Sequence, residues 1–289
     1  MARVAIVSDT THYLPRELMA GPDGGQVSLY VHWDGRQDRE ADLPDFLEFY
    51  EHLRSARELP TTSQPSVGDF LAVWEPLLQS GRDVVSVHIS AGISGTHGVA
   101  VQAQQRLEEG GLETGRIAVV DSRSVCAGLG GVVLAGRAAA AGGGDLQAVV
   151  ARVEAAREDV RIWFCLDTME FLRRGGRVGA ARAWIGSTLQ IKPIMSIDVE
   201  VKPVERVRTT ARATERMVQY LESRRDDGAT AWFVQHIQHP DRAEQIVERG
   251  RELFGCEPRA VSEVGPVLGT HAGPGMIGVA ALHPELLEP

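Results

Sequence analysis

Short apolar stretches alternate with longer amphipathic stretches along the first half of the chain. Four runs rich in β-branched residues predict buried strands, at residues 3–9, 27–33, 83–90 and 116–122. Between them, "LPDFLEFYEHLRSA" and "VGDFLAVWEPLLQSG" carry apolar residues at the spacing of amphipathic helices. Near-continuous apolar strands separated by helices indicate a parallel sheet that is covered on both faces. We therefore expect an N-terminal open parallel α/β domain over residues 1–145.

The pattern changes after "AAAAGGGD", which ends at Asp145, a predicted N-cap for the helix that follows. A strand over 160–167 leads into a helical segment over 168–190, which two glycines interrupt. Residues 191–208 then resemble two strands joined by a tight turn, a hairpin that a purely parallel sheet would lack. Two further helices and three further strands complete the chain. Residues 146–289 therefore predict a C-terminal α+β domain with a mixed sheet.

Composition limits the classes of function. Hydrophobic residues make up 43% of the 289 positions, and the net charge of -9 argues against a general nucleic-acid binder. Three widely spaced cysteines do not form a disulfide framework, so we expect a reduced, cytoplasmic protein. The N-terminus lacks a signal-peptide pattern, and apolar runs stay below the ~18 residues that span a bilayer. An integral membrane protein is not expected, although transient contact with a membrane is compatible with the sequence.

Several kinds of chemistry are disfavoured. Neither Lys192 nor Lys202 follows a glycine-rich turn, which excludes a Walker-type nucleotide site. "GLGGVVLAG" lacks the third glycine of a dinucleotide fingerprint, and we interpret it as close helix packing. "GISGT" misses the last glycine of a nucleophile elbow. His236 and His239 predict a capping or surface pair rather than a metal site, because no carboxylate motif accompanies them.

Hydroxyl-bearing residues cluster where two segments meet the sheet edge. "LPTTSQPS" and "HISAGISGTHG" together hold many serines and threonines, of which Ser66 is a predicted N-cap. In an open parallel sheet, ligands bind beyond the carboxyl ends of the strands. Ser94, Gly95 and Thr96 open the helix after such a strand, where free N–H groups favour an anion. The expected ligand is a carboxylate or a small phosphate.

The order of the motifs resembles the DegV family from Ser8 to Val279. The matching segments are "SDTTHYLP", "TTSQPS", "SAGISGTHGVA", "DSRSVCAGLG", "MEFLRRGGRV", "LQIKPI" and "GTHAGPGMIGV". This resemblance implies two α/β domains that hold a long-chain fatty acid in a buried tunnel between them, with no further cofactor. In some bacteria such proteins are the substrate-presenting subunit of a fatty acid kinase. A separate ATP-binding partner phosphorylates the carboxyl group to an acyl phosphate.

The resemblance also implies roles for individual residues. Thr62, with Ser63 beside it, and Ser94 correspond to ligands of the fatty acid carboxylate. Arg177 and His271 correspond to residues that approach the carboxyl group from the second domain, where we expect them to assist phosphotransfer by the partner kinase. An arginine after two glycines is otherwise a common surface residue, and a lone histidine in a glycine-rich turn is often structural.

Alternatives remain open on the sequence alone. The protein is not predicted to be an enzyme by itself, but a serine hydrolase or acyl transferase with Ser94 as nucleophile and His271 as base is the alternative. A sugar- or phosphate-binding regulator is a third reading. Cys126 is either a small buried residue or a reactive thiol. The segment 126–141 suits a tunnel wall or tight helix packing equally, and the sequence does not specify the acyl chain, the kinase or the oligomeric state.

Overall fold

The structure is a computed structural model that describes residues 3–19, 21, 23–184 and 191–289. The strands are β1 (Val4–Asp9), β2 (Gly24–Val27), β3 (Tyr30–Trp33), β4 (Arg36–Arg39), β5 (Thr61–Ser63), β6 (Asp83–His88), β7 (Ile117–Asp121), β8 (Arg161–Cys165), β9 (Lys192–Asp198), β10 (Glu200–Val207), β11 (Ala231–His236), β12 (Ala260–Glu263) and β13 (Ile277–Leu282). The helices are α1 (Arg16–Met19), α2 (Leu47–Ser55), α3 (Val67–Gln79), α4 (Thr96–Glu109), α5 (Cys126–Ala141), α6 (Leu146–Asp159), α7 (Glu170–Gly175), α8 (Thr210–Asp226), α9 (Pro240–Phe254) and α10 (Pro266–Ala272). Short 3₁₀ helices cover Thr10–His12, Glu40–Asp42, Gly179–Trp184 and Pro284–Leu287.

The N-terminal half contains the expected parallel sheet, in the order β2-β1-β6-β7. All three pairings in it are parallel, and β1 is buried along its whole length. Helices α3 and α4 cover one face, where Phe70 and Trp74 are fully buried, and α5 covers the other. Ser66 caps α3 in a capping box with Asp69, as predicted. The carboxyl end of β6 leads directly into the loop that holds Ser94.

The prediction of one strand over 27–33 is wrong. Residues up to Val27 pair with β1, whereas β3 belongs to a separate three-stranded antiparallel sheet in the order β4-β3-β5. Ser28 and Leu29 separate the two strands: the Ser28 hydroxyl bonds the Leu29 carbonyl, which also accepts from the amide of Glu40. A continuous apolar pattern does not reveal that a chain leaves one sheet for another. This small sheet positions Thr62 and Ser63.

The C-terminal half contains the expected mixed sheet, in the order β10-β9-β8-β13-β11-β12. The pairing of β9 with β10 confirms the predicted hairpin, and β11 with β12 is a parallel pair. Helices α8 and α9 cover one face of this sheet. The predicted helical segment 168–190 contains α7 and one 3₁₀ helix over the residues that the structure describes, and its positions 185–190 lie outside them.

Helix α5 lies between the two large sheets and contacts both. One apolar cluster joins Ile6 of the parallel sheet to Phe164 of the mixed sheet through α5. The glycines of α5 give close contact with neighbouring side chains, which confirms the packing interpretation of residues 128–136. Asp145 caps α6 by accepting from the amide of Ala148. A domain boundary at residue 145 stays a prediction, since the core is continuous across it.

Candidate functional site

Two neighbouring cavities lie between the halves of the molecule. The first, here called the outer pocket, has a volume of about 230 Å³. It collects the polar residues that the sequence singled out at four separate positions in the chain. Its lining includes Thr62, Ser63, Gln64, Ser94, Gly95, Arg177 and His271. The predicted candidates, with the exception of Thr96, therefore meet in one place.

The second, here called the inner cavity, is apolar. Its wall includes Val125, Ile162, Phe164, Leu172, Ile197 and Met276. Ile93, Arg177, Leu268 and His271 line both cavities, so the outer pocket and the inner cavity lie against each other across these four side chains. The inner cavity holds about 60 Å³, which is room for only a few water molecules. Any larger apolar ligand must displace side chains of the wall.

Thr62 and His271 form the central contact of the outer pocket. The hydroxyl of Thr62 lies 2.9 Å from Nε2 of His271, although 209 positions separate them in sequence. The pairing of β5 with β3, in which Thr62 lies opposite Val31, places the hydroxyl, and α10 carries the histidine. This hydrogen bond joins the N-terminal half to the C-terminal half at the pocket.

His271 is neutral at physiological pH. Burial, together with the positive charge of Arg177, lowers the pKa of His271 to about 4. In the unliganded protein His271 therefore does not change its protonation near neutral pH. Its Nδ1 atom is buried and has no hydrogen-bond partner among the described residues. The neutral ring can donate from one nitrogen only, and the tautomer decides whether Nε2 donates to Thr62 or accepts from it.

The segment "GGR" brings Arg177 beside His271. Gly175 is the last residue of α7, and a side chain there would collide with Nδ1 of His271. Gly176 has a φ of 74°, a left-handed conformation that ends α7 and turns the chain toward the pocket. The guanidinium of Arg177 donates to the carbonyl of Gly175 at 2.7 Å. Arg177 remains exposed while it lines both cavities.

Ser94 lies in the loop between β6 and α4 and is held by its neighbours. Its hydroxyl is 2.9 Å from the hydroxyl of Thr96, and it also accepts from the amide of Thr96 at 3.3 Å. Thr96 is fully buried and is not among the residues that line the outer pocket. It supports Ser94 instead of facing the pocket. From the other half of the molecule, the carbonyl of Val199 accepts a short hydrogen bond from Ser90 at the start of this loop.

His32 and Asp9 were not identified from the sequence, and they contact residues next to the outer pocket and hold them in place. Nε2 of His32 lies 2.9 Å from the hydroxyl of Ser63. The buried carboxylate of Asp9 accepts from the amide of Ile89 at 2.8 Å and contacts His88, so it fixes the end of β6. Burial opposes the charge on Asp9, but hydrogen bonds outweigh it, so the pKa of Asp9 is lowered. An aspartate at the end of an apolar N-terminal strand was the available signal for this network.

The geometry bears on the alternatives. Ser94 bonds Thr96 and His271 bonds Thr62, so the described structure does not pair Ser94 with His271 as nucleophile and base. A serine–histidine–aspartate chain does occur at Ser86, His88 and Asp9, with 2.7 Å between Ser86 and Nε2 of His88. All three side chains are fully buried, which excludes substrate from them.

Cys126 is buried at the start of α5 and lines the inner cavity. Burial raises its thiol pKa far above the usual range, which favours the interpretation as a small buried residue over a reactive thiol. Only Cys126 and Ala127 of the segment 126–141 line the inner cavity, so most of that segment serves helix packing. Among the described residues, neither a group of metal-ligating side chains nor a helix suited to crossing a bilayer is found.

Comparison with known proteins agrees with this arrangement. The family model described as "Uncharacterised protein, DegV family" matches residues 3–283. A DegV domain-containing protein of Streptomyces coelicolor is 35% identical over 279 residues, which cover 96% of this chain and 97% of that protein.

Two solved structures are similar over nearly the whole chain. A DegV family protein from Thermus thermophilus, described by its fatty acid binding, has 31% identity, covers 97% and 99% of the two chains and superposes with a TM-score of 0.86. DegV from Bacillus subtilis, described as a fatty acid binding protein, has 30% identity, covers 98% and 100%, and has a TM-score of 0.86. The chain therefore belongs to the DegV family.

Proposed function

We propose that this DegV-family chain binds a long-chain fatty acid, with the carboxylate in the outer pocket and the acyl chain in the inner cavity. The observation that carries the proposal is the adjacency of the two cavities. A polar pocket and an apolar cavity share Arg177 and His271, so an amphiphile can fill both at once. The two solved relatives described as fatty-acid-binding proteins support this choice of ligand.

The outer pocket suits a carboxylate because its polar groups can donate hydrogen bonds. If Nε2–H of His271 donates to Thr62, the Thr62 hydroxyl is free to donate to the ligand. Ser94 supplies a second hydroxyl, and Arg177 supplies a charge that does not titrate. Each charge-assisted bond from one of the hydroxyls contributes about 1.5–3 kcal/mol, whereas solvent screens the charge of the exposed Arg177 in the bound ground state. A bound carboxylate would oppose the lowering of the His271 pKa.

The inner cavity supplies most of the affinity in this proposal. Burial of each methylene contributes about 0.8 kcal/mol, so a chain of ~16 carbons gains on the order of 10 kcal/mol before ordering costs. The cavity must widen to accept it. Met276 and Leu172 at the wall are side chains that can change rotamer, and methionine adapts especially well to irregular space.

The same arrangement suits presentation of the carboxyl group to a separate, cytoplasmic kinase subunit. The outer pocket holds the carboxyl end, and Arg177 is exposed beside it. When a partner transfers a phosphoryl group from ATP, negative charge develops on the transferring oxygens, where a fixed cation stabilises it. We assign Arg177 and His271 to orientation of the carboxyl group and to this stabilisation. Ser94 and Thr62 hold the substrate.

Native mass spectrometry with lipid extraction tests the proposal. Protein purified from bacteria should carry one long-chain fatty acid, and added palmitate should raise the melting temperature of delipidated protein by several degrees. Absence of both a bound fatty acid and a thermal shift contradicts the proposal. Hydrolysis of acyl esters by the protein alone, lost in Ser94→Ala, would favour the hydrolase instead.

A further inference from the structure

Glu40 is a buried carboxyl group between the two halves of the molecule, in the 3₁₀ helix Glu40–Asp42. Only 4% of the residue is exposed. Its Oε1 atom accepts from the hydroxyl of Tyr13 at 2.9 Å and from the amide of Val267 at 2.8 Å. Its Oε2 atom is buried and makes no hydrogen bond of standard geometry to the residues that the structure describes, although the side chain of Thr10 lies close enough to the carboxyl group to lower its pKa. The side chain therefore crosses from the N-terminal half to the first turn of α10.

Three groups of the N-terminal half hold this end of α10. Besides Glu40, the hydroxyl of Tyr13 accepts from the amide of Leu268 at 3.2 Å. The hydroxyl of Tyr50 donates to the carbonyl of Val264. The contacts are so close that a side chain at Gly265 would collide with both Glu40 and Tyr13. These bonds set the position of α10.

The other end of the same helix carries His271. Because α10 has only seven residues, a shift of its first turn is transmitted to His271 with little loss. His271 must stay within hydrogen-bonding distance of Thr62 to complete the outer pocket. Leu268 lies on α10 between the turn that Glu40 contacts and His271, and its side chain lines both cavities. The contact at Glu40 therefore governs the outer pocket from a distance.

The surroundings of Glu40 disfavour its ionised form. The titratable groups around it are Asp9, His12, Tyr13, Arg16, Tyr50, Cys126 and Glu263. Arg16 is the one cation of this set, and it is exposed. Burial raises the pKa of Glu40 to about 7, and nearby hydrogen bonds offset this only in part. Below pH 7 the carboxyl group is mostly neutral, and above pH 7 it carries a buried charge.

We propose that Glu40 is a positioning residue of the carboxyl-binding site, which acts through α10 to hold His271 against Thr62, and that its protonation state sets how firmly the ligand is retained. Its role in ligand retention rests on the proposed function. The sign of the pH dependence follows from linkage: a ligand whose retention needs the neutral form of Glu40 raises the pKa of Glu40 above its ligand-free value of about 7. Retention should therefore weaken as the pH rises through about 7.

A double-mutant cycle with cis-parinaric acid, a fluorescent fatty acid, tests the positioning role. Glu40→Ala should weaken binding about tenfold in the native background, since the hydrogen bond to the amide of Val267 in α10 and the bond to Tyr13 are both lost. In a His271→Ala background the same change should weaken binding less than about twofold, because its effect passes through His271. Equal effects in both backgrounds would overturn the role.

Glu40→Gln tests the protonation state without removing the contact. The amide oxygen still accepts from Tyr13 and Val267, but the side chain no longer titrates. Between pH 6 and 8 the native dissociation constant should rise about threefold, which corresponds to half a pKa unit of coupling, and that of Glu40→Gln should stay constant. Tyr50→Phe should weaken binding but keep the native pH profile. Glu48→Gln, at an exposed carboxylate, should change neither.

A ligand-free measurement separates this inference from the proposed function. In protein labelled with ¹⁵N-histidine, the signal of His271, identified by its loss in His271→Asn, should move between pH 6 and 8. It should not move in Glu40→Gln. Failure of native protein to bind the probe would count against the proposed function alone. An unmoved His271 signal in native protein would overturn the role of Glu40 even if the fatty acid binds.

Discussion

The outer pocket and the inner cavity adjoin each other but are built in different ways. The outer pocket depends on single hydrogen bonds between distant residues, such as Thr62 with His271. The inner cavity depends on many interchangeable apolar contacts around Phe164 and Met276. Loss of one donor leaves a buried polar group without a partner, whereas loss of one apolar contact is shared by its neighbours.

This difference separates orientation from affinity. A few fixed donors can hold a carboxyl group in one geometry, but together they contribute only a few kcal/mol. A long acyl chain contributes more, because the burial of each additional methylene adds to the free energy of binding. Changes in the outer pocket should therefore affect chemistry and specificity, and changes in the inner cavity should affect affinity and chain length.

The largest effect should come from substitution of Arg177, which should slow phosphoryl transfer to the fatty acid but leave fatty acid binding nearly unchanged. Arg177→Ala should lower acyl-phosphate formation by about 10²- to 10³-fold, because a donor to the developing charge is lost. Palmitate affinity should change less than about threefold, since the acyl chain dominates binding. The measurement uses ATP and the ATP-binding subunit of a bacterial fatty acid kinase. Arg182→Ala, at an exposed arginine in the following 3₁₀ helix, is the control. A normal rate of phosphorylation in Arg177→Ala would contradict the assignment of transfer chemistry to the outer pocket and of affinity to the inner cavity.

Gly278→Leu should have the opposite effect and weaken fatty acid binding, because the new side chain fills part of the inner cavity. A Cβ atom at Gly278 meets its neighbours no closer than 3.4 Å, so the backbone accommodates a side chain. The remaining carbons should displace about three methylenes of a long ligand, which corresponds to roughly 50-fold weaker binding. Isothermal titration with palmitate and octanoate is the measurement, and octanoate should lose less. Gly98→Leu, at an exposed position of α4, should leave both affinities unchanged. Equal losses for both chain lengths would contradict the division of roles.

Thr62→Val should give a smaller loss in the outer pocket. The substitution keeps the shape of the side chain but removes the donor that faces the carboxylate, at a cost of about 1–2 kcal/mol, or roughly tenfold in affinity. The loss should be the same for palmitate and octanoate, because both present the same carboxylate. Thr61→Val serves as the control, because Thr61 is the neighbouring residue in β5 and is exposed. A loss that grows with chain length would place Thr62 in the apolar region instead.

Much of this architecture follows from local pattern. The apolar runs predicted the parallel sheet, the hairpin of β9 and β10 and the mixed sheet, because burial on one or both faces leaves a direct trace in the sequence. Ser66 and Asp145 were recognised as caps for the same reason, since a cap acts within three residues. The strand over 27–33 was predicted wrongly because its two parts are equally apolar but belong to different sheets.

The candidate site divides in the same way. The motifs indicated which residues to examine, and all but Thr96 of the predicted site residues line the outer pocket. The protonation states and contacts of these residues depend on the tertiary structure. The low pKa of His271 depends on burial and on Arg177, which the fold brings beside it. Glu40 carries no motif, and its importance appears only where α10 meets the N-terminal half.

The sequence by itself determined the elements of this protein, their order and the identities of the polar groups available to a ligand. Those properties depend on periodicity, capping and residue type, which act over a few neighbouring positions. Only the tertiary structure decided that Thr62 meets His271, that the polar and apolar cavities lie side by side, and that Glu40 is buried without a compensating charge. Contacts between residues some 200 positions apart, and the dielectric surroundings of a buried group, arise from the packing of distant elements against each other.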